Sequence, residues 1–156
     1  MRHAKKLLGL TAVLLFAACD NGITDPFQQA AGTYELTVYA GRSIPATYTI
    51  QPGDPAYPQY PNGATFVVTD GEIVLNSNGT FIETNNYVTT PTGGVGENSS
   101  FRSSGTWQLN GTSLFLTAPP QNGIGQRNVQ ATLDGNSIAY QEDDGVGGFD
   151  SFEYVR

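Results

Sequence analysis

Apolar and polar residues alternate with period two along most of this chain, and no stretch after residue 32 repeats with a helical period. Tyr34, Leu36 and Val38 fall on one face of such a run, with Thr33, Glu35 and Thr37 on the other. The same alternation sets Phe66 and Val68 apart from Thr65, Val67 and Thr69, and Val129, Ala131 and Leu133 apart from Asn128, Gln130 and Thr132. Ten runs can be marked: 33–40, 45–50, 64–69, 72–76, 79–90, 100–109, 112–117, 126–133, 136–142 and 149–155. Four dipeptides, Asp70-Gly71, Asn78-Gly79, Asn110-Gly111 and Asp134-Gly135, carry the signal of a tight hairpin turn between neighbouring runs. Consecutive strands joined in this way pair antiparallel, as an up-and-down meander. A meander this long must protect its edges, and closure removes them. The pattern therefore predicts an all-β protein, an antiparallel up-and-down barrel of about eight strands, with two of the ten runs merging or lying at the rim. A Greek-key sandwich is the alternative architecture. A membrane-spanning barrel is disfavoured, because the outward positions are Thr, Gln, Asn, Glu and Ser rather than an apolar band.

Two segments break the alternation. Residues 51–63, QPGDPAYPQYPNG, hold four Pro and two Tyr and read as a long loop. Residues 91–98, PTGGVGEN, read as a Gly-rich loop.

The chain begins differently. Arg2, Lys5 and Lys6 precede an apolar run from Leu7 to Ala18, too short to span a bilayer as a helix but laid out as an export signal. At its end, Leu15-Phe16-Ala17-Ala18-Cys19 resembles the lipobox of bacterial lipoproteins. The resemblance implies cleavage before Cys19, acylation of its sulfur, and membrane attachment in the cell envelope. Asp20 follows, and the sequence leaves open whether the inner or the outer membrane is the destination. The expected organisation is a leader over 1–18, a lipid-anchored tether over 19–31 and a barrel domain over 32–156. Residues 27–31 read equally well as a short helix across the barrel floor.

Composition narrows the chemistry. Of 156 residues, 38% are apolar and 11% aromatic, too many for a disordered chain, and the single Cys excludes a disulfide framework. The only His and both Lys lie in the leader. From Cys19 onward there remain Arg42, Arg102, Arg127 and Arg156 against all 14 acids, a net charge of −10. Without imidazole or amine there is no Ser-His or Cys-His nucleophile, no Schiff base and no His-ligated metal. The acidic surface disfavours nucleic acid. We expect no enzyme and no cofactor. A calcium site at Asp143, Asp144 and Asp150, around the Gly-rich turn, is only a weak candidate, since its spacing is not that of an EF-hand. Glu35, Glu72, Glu83 and Glu153 lie on strands and are expected to face water.

A resemblance accompanies the predicted barrel. Gly32-Thr33-Tyr34 at the first strand, Arg156 at the last, and a second Gly-aromatic step at Gly105-Thr106-Trp107 are similar to the lipocalin-like fold. There, a Gly-x-Trp opens the first strand, and an Arg from the last strand covers the ring at the barrel base. Tyr34 stands in the place of the Trp. The resemblance implies a barrel that shelters a small, largely apolar ligand. The candidate lining residues are Tyr34, Leu36, Val38, Phe66, Val68, Trp107, Leu114, Leu116 and Tyr140, with Tyr57 and Tyr60 as loop contacts. The competing reading is a filled barrel that meets a protein partner through loops 51–63 and 91–98.

Overall fold

The computed structural model describes residues 25–120, 125–143 and 148–156; the leader, Cys19 and Asp144 lie outside them. A short helix, α1 (Pro26–Ala30), precedes the strands β1 (Gly32–Tyr39), β2 (Arg42–Ser43), β3 (Ala46–Ile50), β4 (Ala64–Leu75), β5 (Thr80–Pro91), β6 (Glu97–Asn110), β7 (Ser113–Ala118), β8 (Arg127–Asp134), β9 (Ser137–Asp143) and β10 (Phe149–Val155). Strands from β4 to β10 follow one another as antiparallel neighbours. β1 pairs with β10 on one side and with β4 on the other, which closes an eight-stranded barrel compatible with a lipocalin-like fold. Above Glu35↔Glu72 the strands β1 and β4 part, and β2 and β3 fill the gap by pairing with β1 and β4 respectively.

The barrel has unlike ends. At the floor, the chain turns through Asn78-Gly79, Asn110-Gly111 and Asp134-Gly135, three of the four expected turns, with each Gly at positive φ. At the mouth lie the longer connections, including residues 51–63 and 92–96, and Thr92 N–H donates to Gly63 O (3.0 Å) to tie those two loops together.

Asp70-Gly71 does not turn. The runs 64–69 and 72–76 are one strand, β4, in which an extra residue enters between Val68 and Asp70. This bulge moves the inward phase from Phe66 and Val68 to Gly71, Ile73 and Leu75, a shift that reads in the sequence as a break. A Cβ on Gly71 would stand 2.1 Å from Asn85 Oδ1, so the glycine makes room for a side chain inside the barrel. β1 carries a second bulge between Leu36 and Val38.

The lower interior is packed solid. Ile73, Phe81, Trp107, Leu114, Leu116 and Ile138 are wholly buried, and Gly105 permits close approach of β7, since a Cβ there would lie 2.0 Å from Thr117 O. The floor is sealed by α1. Asp25 caps its N-terminus through the Phe27 N–H (3.0 Å), and the Phe27 ring packs 4.6 Å from the Trp107 ring. Tyr34 donates from its hydroxyl to Ala30 O (2.8 Å). Over the Tyr34 ring lies Arg156, its Cζ 5.5 Å from the centroid, with Nη1 donating to Ala31 O (2.9 Å) and Gln29 O (3.2 Å). First strand, last residue and helix are thereby joined at one point, in the arrangement that the resemblance implies.

Candidate functional site

Above the apolar floor the strands bring polar groups inward. On β5, Glu83 and Asn85 occupy the same phase as Phe81, and both are fully buried. Glu83 Oε1 accepts from the Tyr140 hydroxyl (2.6 Å) and from Asn85 Nδ2 (3.1 Å). The Tyr154 hydroxyl sits 3.1 Å from both Glu83 Oε1 and Asn85 Oδ1, so its single proton serves either. On the other side, Glu83 Oε2 accepts from Arg127 Nη1 (2.5 Å). Arg127, in phase with Val129 on β8, directs Nε and Nη2 onto the two oxygens of Glu142, both at 2.6 Å. Among the described residues, no buried side-chain nitrogen or oxygen lacks a hydrogen-bond partner.

This plate spans the barrel and divides it. Its electrostatics are settled internally: one guanidinium faces two carboxylates, so it offers no spare positive charge to a ligand. Burial works to lower the Arg127 pKa, but the hydrogen bonds to Glu142 and the charge of Glu83 outweigh it and drive the net shift upward. The Tyr140 hydroxyl is pushed well above its ordinary value, first by burial and then by the Glu83 charge, and Tyr154 is raised by the same two causes.

Beyond the plate, aromatic rings line the mouth. Tyr39 meets Phe152 edge-on (5.1 Å) and Tyr48 likewise (5.5 Å), and Phe66 stacks on Tyr87 (5.1 Å). The rings of Tyr39, Tyr48 and Phe66, together with Tyr57 from the Pro-rich loop, wall a recess of about 210 Å³ that also contains Asp54 and Asp150. The Tyr39 hydroxyl donates to Asp150 Oδ2 (2.6 Å), and burial followed by this bond raises its pKa. The Tyr48 hydroxyl donates to Tyr39 O. Burial and then the Glu83 charge push the Tyr87 hydroxyl up to about 12. A wider, more open cleft of about 550 Å³ runs beside the recess along Phe101, Arg127, Glu142 and Phe152, and shares Asp150 with it.

The residues expected to line the interior fall into three groups. Tyr34, Leu36, Val68, Trp107, Leu114, Leu116 and Tyr140 point inward and are buried, where they fill the barrel or join the plate. Phe66 points inward and walls the recess. Val38 pairs with Glu153 and turns outward, because the β1 bulge gives the inward position to Tyr39 opposite Phe152. Tyr57 reaches the recess, whereas Tyr60 does not line it. Of the four strand glutamates, Glu35, Glu72 and Glu153 are exposed and Glu83 is not. Asp144 of the weak calcium candidate lies outside the described residues, and among those described no three His, Cys, Asp or Glu gather as metal ligands. Residues Glu83, Asn85, Arg127 and Tyr39 are the additions, and Asp150, expected only as a weak calcium ligand, joins them at the recess. Glu83, Asn85, Arg127 and Asp150 lie in the inward phase of their strands, which was the available signal, whereas the β1 bulge hid that of Tyr39.

No protein-family model, curated protein or solved structure matches this chain.

Proposed function

We propose that this protein is a bacterial envelope lipoprotein, held at the membrane by acylated Cys19, whose barrel binds a small, largely apolar molecule non-covalently at its mouth. The leader and lipobox resemblance support the anchoring. The aromatic recess above the polar plate is the observation that carries the binding role: a concave space walled by four aromatic rings and holding a few fixed polar groups suits a small molecule.

Two experiments test this reading. Substituting Cys19→Ser should release the protein from the membrane fraction, and a mature N-terminus without lipid by mass spectrometry would overturn the anchoring. A panel of small apolar and amphipathic compounds, followed by calorimetry, should yield a binder whose affinity falls on Phe66→Ala; a panel without binders would overturn the ligand role.

The second reading, a filled barrel acting on a protein partner through loops 51–63 and 91–98, draws on the packed lower interior and on the order of the Pro-rich loop. A ladder of turns crosses that loop, among them Tyr57 N–H to Asp54 O (3.1 Å) and Tyr60 N–H to Tyr57 O (2.9 Å).

A further inference from the structure

The walls of the recess carry a consistent electrostatic sign. Aromatic faces are the negative lobes of ring quadrupoles, and Tyr39, Tyr48, Tyr57 and Phe66 supply four rings to one space of about 210 Å³. Two carboxylates, Asp54 and Asp150, complete the wall, and no Arg lines it. Arg127, which lines the neighbouring cleft, is already held by Glu83 and Glu142. Arg42, which lies outside the lining, rests its guanidinium 4.7 Å from the Tyr48 centroid and shows that this ring accepts a cation.

A neutral apolar guest would strip water from Asp54 and Asp150 and return nothing, which is costly. An anion would meet both carboxylates. A positive charge answers all of these groups together. Two carboxylates are too few to cage a bare divalent metal, and no third metal-ligating side chain joins them among the described residues. The volume equals about seven waters at ~30 Å³ each, below the ~300 Å³ of a drug-sized site.

We propose that the recess binds a small organic cation, an amine or quaternary ammonium with an apolar body, with its charge beside Asp150 and Asp54 and its alkyl groups against the four rings. The inference rests on the small-ligand reading above and names the class of that ligand. Asp150 uses Oδ2 to accept from Tyr39, and an ionised carboxylate has acceptor capacity beyond one bond, so holding the ring and holding a cation are compatible.

Calorimetry on the full-length protein with choline and with 3,3-dimethyl-1-butanol, which has the same shape but carbon in place of the charged nitrogen, tests this directly. Choline should bind roughly tenfold or more tightly than the alcohol, with the preference shrinking as salt rises. Asp150→Asn should erase most of that preference with little change in melting temperature. Asp54→Asn, on the loop, serves the same purpose if the first variant fails to fold. Equal or tighter binding of the alcohol, or a preference untouched in both variants, would overturn the cationic class and leave the small-ligand role standing. Failure of both probes and of every compound in the wider panel would overturn the two together.

Discussion

Glu83 is the residue on which the interior hinges. Its carboxylate faces four donors inside the barrel, and their partners vanish with it. Glu83→Leu should cost about 3–5 kcal/mol in urea denaturation, since it takes the carboxylate acceptor from Arg127 Nη1 and from the buried Tyr140 hydroxyl while Glu142 still holds the rest of the guanidinium, whereas Glu83→Gln, which keeps an acceptor in place, should cost only about 1–3 kcal/mol. Equal losses for both would mean that packing alone matters at this position. The glycines make a second test. A methyl at Gly105 would meet the backbone of Thr117 and Ala118, which cannot yield, whereas one at Gly71 would meet the end of the Asn85 side chain. Gly105→Ala should therefore destabilise more than Gly71→Ala, and only the Gly71→Ala loss should be relieved in part by Asn85→Ala. Chemical denaturation of the two single variants and the Gly71/Asn85 pair decides it.

At the scale of elements, most of the barrel was legible. Period-two alternation placed the strands, and three X-Gly dipeptides fixed hairpins because a tight turn needs positive φ at defined places. What failed was phase. Bulges in β1 and β4 each insert one residue, and no local signal separates an inserted residue from a break, so Asp70-Gly71 read as a turn and Val38 as an inward residue in place of Tyr39. Polarity misled in another way. Glu83 and Arg127 sit in the inward phase of their strands, yet a charged residue is expected outside until its partner, 44 positions away, is known. Helix α1 was one of two open readings of its segment, and its contact with the barrel has a measurable consequence. Phe27→Ala should uncover Trp107, shift its emission to longer wavelength, and cost about 1–2 kcal/mol, below the ~3–5 of a fully buried Phe. An unshifted spectrum would show that the helix does not shield that ring.

For the whole molecule, the missing residue types matter as much as those present. No His or Lys follows residue 18, so the melting temperature should show no histidine step near pH ~6.5. Alkali is another matter. Tyr39, Tyr140 and Tyr154 are raised above the ordinary tyrosine value, each chiefly by burial, and Tyr87 is pushed up to about 12. The folded state thus holds these protons more tightly than the unfolded chain does. That contribution to stability is complete below pH ~10, where unfolded tyrosine begins to ionise, and drains away as pH climbs through the folded values. Melting temperatures across pH 6 to 12 check both limbs; a flat profile above pH 10 would show that these hydroxyls are freer than their surroundings imply.

The chain enters beneath the barrel, through a helix stoppered against Tyr34, Arg156 and Trp107. Five residues separate Cys19 from Asp25, and the six steps between them make a leash of ~20 Å at full stretch. Anchored as proposed, the molecule would stand with its sealed base on the headgroups and its aromatic cup facing away from the bilayer, gathering its guest from the surrounding water rather than drawing it out of the lipid.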